Sequence, residues 1–273
     1  MSRWHQVVCV AVLAGSLVGA GTATAQPPLE ELDTQVQFNW GMGASPLYEG
    51  WVRNADGTID MWFGYLNQNW EETLYVPVGP NNRIEPGGPD RGQPTVFIPR
   101  RREGRATERR ESFTFSVRLP ADWDPEDEVV WTVTANDRTD QAIGLFTPLY
   151  ELRTLDGNVP PEVRVRTAAD TIALPGTVAL TAMVKDDGKP EERRGRATLK
   201  WVNYRGPGPV TFEPNKASLP EGTNTAGGVE VNTIVRFSKP GIYVLRAVAN
   251  DGDWNGAGDV TVDVLGADPG EGR

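Results

Sequence analysis

The sequence predicts an all-β protein: two consecutive antiparallel β-sandwich domains behind a signal peptide. Three observations point there. Short runs alternate apolar and polar residues with a period of two, which turns one row of side chains inward and the other outward. The 30 Gly and 22 Pro suit many tight turns. No stretch sustains a helical period of apolar residues.

Residues 1–25 read as the signal peptide. Arg3 supplies the positive start, Val7-Val8-Cys9-Val10-Ala11-Val12-Leu13-Ala14 opens an apolar stretch, and Ala23-Thr24-Ala25 gives a small-residue cleavage pattern. Gln26 is then the expected mature N-terminus. The apolar stretch is shorter than the roughly 20 residues of a membrane-spanning helix, and nothing later in the chain is apolar enough to span. The expected location is therefore periplasmic or extracellular.

Removing 25 of the 273 residues leaves 248, whose 26 basic and 37 acidic side chains give a net charge of −11. Such a surface repels nucleic acid and anionic membranes. His5 and Cys9 are the sole His and Cys, and both lie in the leader. Their loss excludes Ser-His and Cys-His nucleophile pairs. It also excludes His- or Cys-ligated zinc, haem, iron–sulfur and copper. No disulfide staples the fold, so burial must hold each domain.

The first domain is expected over residues 34–157. Leu47–Arg53 and Thr58–Leu66 flank Asn54-Ala55-Asp56-Gly57, a hairpin signal because Asp-Gly tolerates positive φ. Thr95–Ile98 adds a short strand. In Ser112–Leu119, Phe113, Phe115, Val117 and Leu119 form the inward row. Val129, Trp131 and Val133 form another. Leu155-Asp156-Gly157-Asn158-Val159-Pro160-Pro161 reads as a stiff linker.

The second domain is expected over residues 158–265, with seven or so strands. Val178, Leu180, Ala182 and Val184 share a face, as do Leu199 and Trp201. Val229, Val231, Thr233, Val235 and Phe237 share another. Tyr243, Leu245, Ala247 and Ala249 alternate with Ile242, Val244, Arg246 and Val248, and Val260, Val262 and Val264 close the domain.

The run Pro240-Gly241-Ile242-Tyr243-Val244-Leu245-Arg246-Ala247-Val248-Ala249-Asn250-Asp251-Gly252 resembles the end of PKD and PKD-like modules, which are Ig-like β-sandwiches. Val184-Lys185-Asp186-Asp187-Gly188, Leu199-Lys200-Trp201 and Gly206–Phe212 fit the same resemblance, which covers residues 159–265. Lys200-Trp201-Val202-Asn203 stands where typical PKD repeats carry W-D-F-G-D-G. The resemblance implies an Ig-like fold and an adhesive, spacing or presenting role without catalytic residues. It places Trp201 as the plug between sheets, Tyr243 at a tyrosine corner, and Leu245 where antibody domains have a Cys. Tyr48-Glu49-Gly50-Trp51 and Phe63–Glu72 make the N-terminal half similar to uncharacterised secreted bacterial proteins, which implies no activity.

Four groups of residues invite a function. Trp62, Asn67, Asn69 and Trp70 combine aromatic faces with amides, the pairing that stacks on and hydrogen-bonds sugars; core filling is the alternative use of a Trp. Asp251, Asp253 and Asn255 match the first half of a calcium loop, although Val262 stands at its twelfth position; an Asp/Asn/Gly turn is the alternative. Asp186 and Asp187 are expected near the same end of the sandwich. Arg100, Arg101, Arg102 and Arg105 form a basic island for an anionic partner, or a solvated loop. Asp122, Asp124, Glu126, Asp127 and Glu128 carry the carboxylates a glycoside hydrolase needs, but no apolar setting that would keep one protonated.

The function these readings favour is an exported, non-catalytic binding, scaffolding or adhesion protein, with no cofactor beyond calcium. Its expected partner is an envelope or extracellular protein or glycan, and not nucleic acid. A carbohydrate-binding protein using exposed Trp of the first domain is the alternative, with a carboxylate-dependent hydrolase behind it.

Overall fold

The computed structural model describes residues 38–99, 110–152, 157–189, 197–219 and 228–267. The leader and the four arginines of the basic island lie outside the described residues. Among the described residues the chain is β-structure and turns, with one 3-10 turn at Pro148–Tyr150. No helix among them is long and apolar enough to cross a membrane.

The N-terminal half contains β1 (Ala44–Arg53), β2 (Ile59–Asn67), β3 (Leu74–Tyr75), β4 (Asn82–Glu85), β5 (Val96–Phe97), β6 (Arg110–Leu119), β7 (Glu128–Ala135) and β8 (Arg138–Leu145). Antiparallel sheets in the orders β1-β2-β6 and β4-β7-β8 share one core, and β3 pairs with β5 beside them. The Asp56-Gly57 turn joins β1 to β2 as expected, with Gly57 at φ +87° and the Asp56 carboxylate accepting from Thr58 N at 3.0 Å. Ile59, Met61, Phe63 and Tyr65 point inward from β2, and Val129, Trp131 and Val133 from β7.

Aromatic packing and buried amides hold this half together. The Phe115 and Trp131 rings meet edge to face at 4.9 Å, and Phe63 stacks on Phe115 at 5.6 Å. Trp131 Nε1 donates to Asn82 Oδ1 at 2.9 Å, while Asn82 Nδ2 donates to the carbonyls of Val76 and Pro94. Thus one buried amide ties two irregular segments to the central Trp and satisfies groups that are costly to leave unpaired.

The C-terminal half contains β9 (Glu162–Thr167), β10 (Thr171–Ala173), β11 (Thr177–Lys185), β12 (Thr198–Arg205), β13 (Val210–Glu213), β14 (Lys216–Ser218), β15 (Val229–Phe237), β16 (Gly241–Asn250) and β17 (Asn255–Leu265). Among the described residues, nine strands replace the seven or so expected, because three- and four-residue strands are too short to show a period. A five-stranded sheet, β10-β17-β16-β12-β14, and a four-stranded sheet, β13-β15-β11-β9, close over one aliphatic core. All of these pairings are antiparallel except β10 with β17. Trp201 is buried between the sheets, and Leu245 is fully enclosed. Tyr243 Oη donates to Lys239 O at 2.9 Å, so the tyrosine corner is formed.

Phe113 departs from its expected place in the inward row. Pairing between β2 and β6 slips between Phe63 and Tyr65, and Phe113 adopts φ +51° in the bulge. The bulge breaks the alternation that the sequence implied and leaves Phe113 half-buried while Phe115, Val117 and Leu119 stay inside. Gly64 makes room for it, since a Cβ there would collide with the Glu111 carbonyl and the Glu49 carboxylate.

Candidate functional site

Residues of both halves converge on a cleft of about 340 Å³. One wall comes from the outer face of β2 and the bulge of β6, the other from the outer faces of β12, β16 and β17. Trp62 projects from β2 opposite the inward row and is half-buried. Its ring meets that of Phe113 at 6.3 Å, and Phe113 in turn meets Trp254 at 6.1 Å. The backbone of Phe113 is therefore held in a left-handed conformation, at a cost of about 1–3 kcal/mol, with its ring between two Trp rings of different halves.

Polar groups frame the cleft. Lys200 Nζ of β12 meets Glu111 Oε2 of β6 at 2.5 Å. Arg246 of β16 lies 3.4 Å over the Tyr204 ring, grips Asp259 through Nε and Nη2, and donates from Nη1 to Thr114 O at 2.6 Å. Tyr204 Oη donates to Gly92 O at 2.5 Å, and burial pushes its hydroxyl pKa up to about 12. The phenol is thus a fixed donor at ordinary pH.

The joint between the halves continues away from the cleft. Arg205 makes a two-pronged pair with Asp90, at 2.8 and 3.0 Å, and its Nε donates to Gln93 O. The hydrogen bond from Arg205 holds the Asp90 carboxyl below its ordinary pKa. Thr95 N donates to Tyr204 O at 3.1 Å, and Gly206 N to Thr95 Oγ1 at 3.2 Å. Charge-assisted and backbone bonds of this kind fix an angle more firmly than apolar contact alone. Residues 37–273 accordingly form one compact unit.

The expected sugar-binding group is dispersed. Asn67 and Asn69 are fully buried. Asn67 Nδ2 donates to the Glu72 and Phe97 carbonyls, and Asn69 exchanges hydrogen bonds with the backbone of Met42. Both amides organise the loop after β2, on the far side of that strand from Trp62. Trp70, half-buried, follows in the same loop, where its backbone N donates to Phe38 O.

The half-motif for calcium is divided as well. Asp251 is buried and its Oδ1 accepts from Asp253 N and Trp254 N, both at 2.7 Å, whereas Asp253 is exposed. Asn255 turns to the cleft, accepting from Asn250 at 2.8 Å and reaching Ser112 O at 3.4 Å. Among the described residues, no three His, Cys, Asp or Glu side chains gather as a metal-holding group. The five carboxylates from Asp122 to Glu128 are all exposed.

Sequence reasoning missed Phe113, Tyr204, Arg205 and Arg246 as parts of the joint. Two signals could have found them. A lone Gly64 inside a strand marks a close backbone approach. The second row of β16, with Ile242, Val244 and Val248 around Arg246, is too apolar for a face open to water along its length.

No protein-family model matches the chain, and no curated protein does. Among solved structures, the D0-D1 domain of Intimin covers 82% of this chain and 100% of its own at 12% identity, with a TM-score of 0.29. The adhesin InvE of Yersinia pseudotuberculosis covers 81% of this chain and 58% of its own at 12% identity and a TM-score of 0.27. The fibronectin(III)-like modules of Clostridium thermocellum CbhA cover 80% and 90% at 12% identity and 0.26. Likenesses at such scores carry no weight in assigning a function to this chain.

Proposed function

We propose that the chain is an exported, non-catalytic binding or scaffolding protein of the adhesion type, which meets an envelope or extracellular partner at the cleft between its halves. In this reading the leader is removed at Gln26, the halves divide near residue 158, and the C-terminal half is a PKD-like module. The observation that carries the proposal is Phe113. A bulky residue in a left-handed conformation is retained where its surroundings over-determine it, and such strain gathers at functional sites. Here it presents an aromatic ring beside Trp62 and Trp254, next to the Lys200–Glu111 pair. Aromatic side chains, Trp above all, are enriched in binding hot spots.

A second reading, a glycan ligand, is favoured by Trp62 alone, whose ring is partly open. Its polar partners would then be Glu111, Lys200 and Asn255 of the cleft rather than Asn67 and Asn69. The test is affinity capture of envelope components by the chain, by Trp62→Ala and by Phe113→Gly, with mass spectrometry. The glycine variant removes the ring while easing the backbone. A protein partner retained by the native chain and lost by both variants supports the proposal. Capture of glycans alone supports the second reading, and capture of the same partners by all three chains places recognition elsewhere.

A further inference from the structure

The end of the C-terminal sandwich remote from Lys239 brings together three loops. Asn158 precedes β9, Asp186 follows β11, and Asp251 follows β16. Pairing of Glu162 with Lys185 sets the first two at the same end, and Asn158 Nδ2 lies 3.2 Å from Asp251 Oδ2. Asn158 is 2% exposed and Asp251 3%. Two oxygens here are enclosed and accept no hydrogen bond: Asn158 Oδ1 and Asp186 Oδ1. Buried acceptors of that kind are rare and costly.

The surroundings deepen the imbalance. The Asp251 and Asp187 carboxylates lie close enough to Asp186 for their charges to act on it. The local donors are already committed. Gly188 N serves Asp186 Oδ2, Lys189 N and Val159 N serve Asp187, and Asp253 N and Trp254 N serve Asp251 Oδ1.

We propose that Asn158, Asp186 and Asp251 bind a calcium ion at this end of the sandwich. The set is oxygen alone, two carboxylates and one amide carbonyl, which suits a hard cation rather than zinc or copper. Loop-borne ligands, with water completing the shell, favour calcium's flexible coordination over the strict octahedron of magnesium. Two carboxylates place the affinity with extracellular modules, at a Kd of about 10⁻⁴–10⁻³ M. The site differs from the loop that the sequence suggested: it retains Asp251 but replaces Asp253 and Asn255 with residues from two other loops. It is independent of the cleft and of the partner proposed there.

The test is calorimetric titration of the full chain with calcium chloride, with thermal melting in EDTA, magnesium and calcium. Calcium is expected to bind in the stated range and to raise the melting temperature. Asp186→Asn and Asn158→Ala are each expected to weaken binding at least tenfold, while Asp253→Asn leaves it unchanged. Melting in EDTA shows independently that each variant folds. Absence of a calcium response in the native chain overturns the proposal, as does its loss in Asp253→Asn with retention in Asp186→Asn. An equal response to magnesium overturns the choice of calcium.

Discussion

The two halves solve the same problem with different materials. The N-terminal half fills three small sheets with aromatic rings and stitches its irregular segments with the buried side chains of Asn67, Asn69, Asn82 and Gln93. The C-terminal half closes two larger sheets over Val, Leu and Ala rows and keeps one tyrosine corner. Their central tryptophans embody the contrast. Trp131 Nε1 is hydrogen-bonded to Asn82, whereas Trp201 Nε1 is buried with no partner. Where strands are long and regular, backbone pairing satisfies the chain. Where they are short, side-chain amides must take over.

The largest test of that contrast is deletion of each ring. Trp131→Ala and Trp201→Ala are each expected to cost about 3–5 kcal/mol, read from denaturant unfolding. A single shared transition in both variants would show that the joint through Arg205 and Arg246 couples the halves. Removing only the indole nitrogen separates them further. Trp131→Phe orphans Asn82 Oδ1 and should cost about 1–3 kcal/mol more than Trp201→Phe, which discards an N–H that is already unsatisfied. Equal costs would mean that the amide network is dispensable.

Smaller still is Tyr243→Phe, which breaks the corner and should lower stability by about 0.5–1.5 kcal/mol in chemical denaturation. The mildest effect concerns the joint. The Asp90 pKa is lowered in the fold, so its contribution is full above the ordinary aspartate value of about 3.9 and is lost as pH falls through the lowered value. Asp90 is half exposed, so the effect is modest. The urea midpoints of the native chain and Arg205→Ala should differ at neutral pH and converge on acidification below about pH 4.

This division also explains what could be read in advance. Rows such as Val178–Val184 and Tyr243–Ala249 declare their inward faces because a period of two survives along an unbroken strand. The Trp131 row in β7 is legible for the same reason. The strands β4, β8 and β13 are not, since two are short and β8 opens with Arg138, Thr139, Asp140 and Gln141, which hide any inward apolar row. Asn67 and Asn69 were legible as polar but not as interior, because an amide reveals nothing about where its partners will come from. The cleft was hidden by one bulge, which turned Phe113 away from the row its neighbours keep.

The edges of the C-terminal sandwich carry a consequence for how this protein meets others. The long β16 and β17 are flanked by β12 and by β10, and the outermost strands of their sheet, β10 and β14, are three residues each. In the facing sheet, β13 has four residues and β9 exposes Glu162, Arg164 and Arg166 along its run. Such edges offer a foreign strand little backbone to zip onto and confront it with charge. Within the C-terminal half, these edges are poor sites for pairing between copies of the chain. Any partner of this half would have to be met by side-chain surfaces, which discriminate in a way that a bare ladder of peptide groups does not.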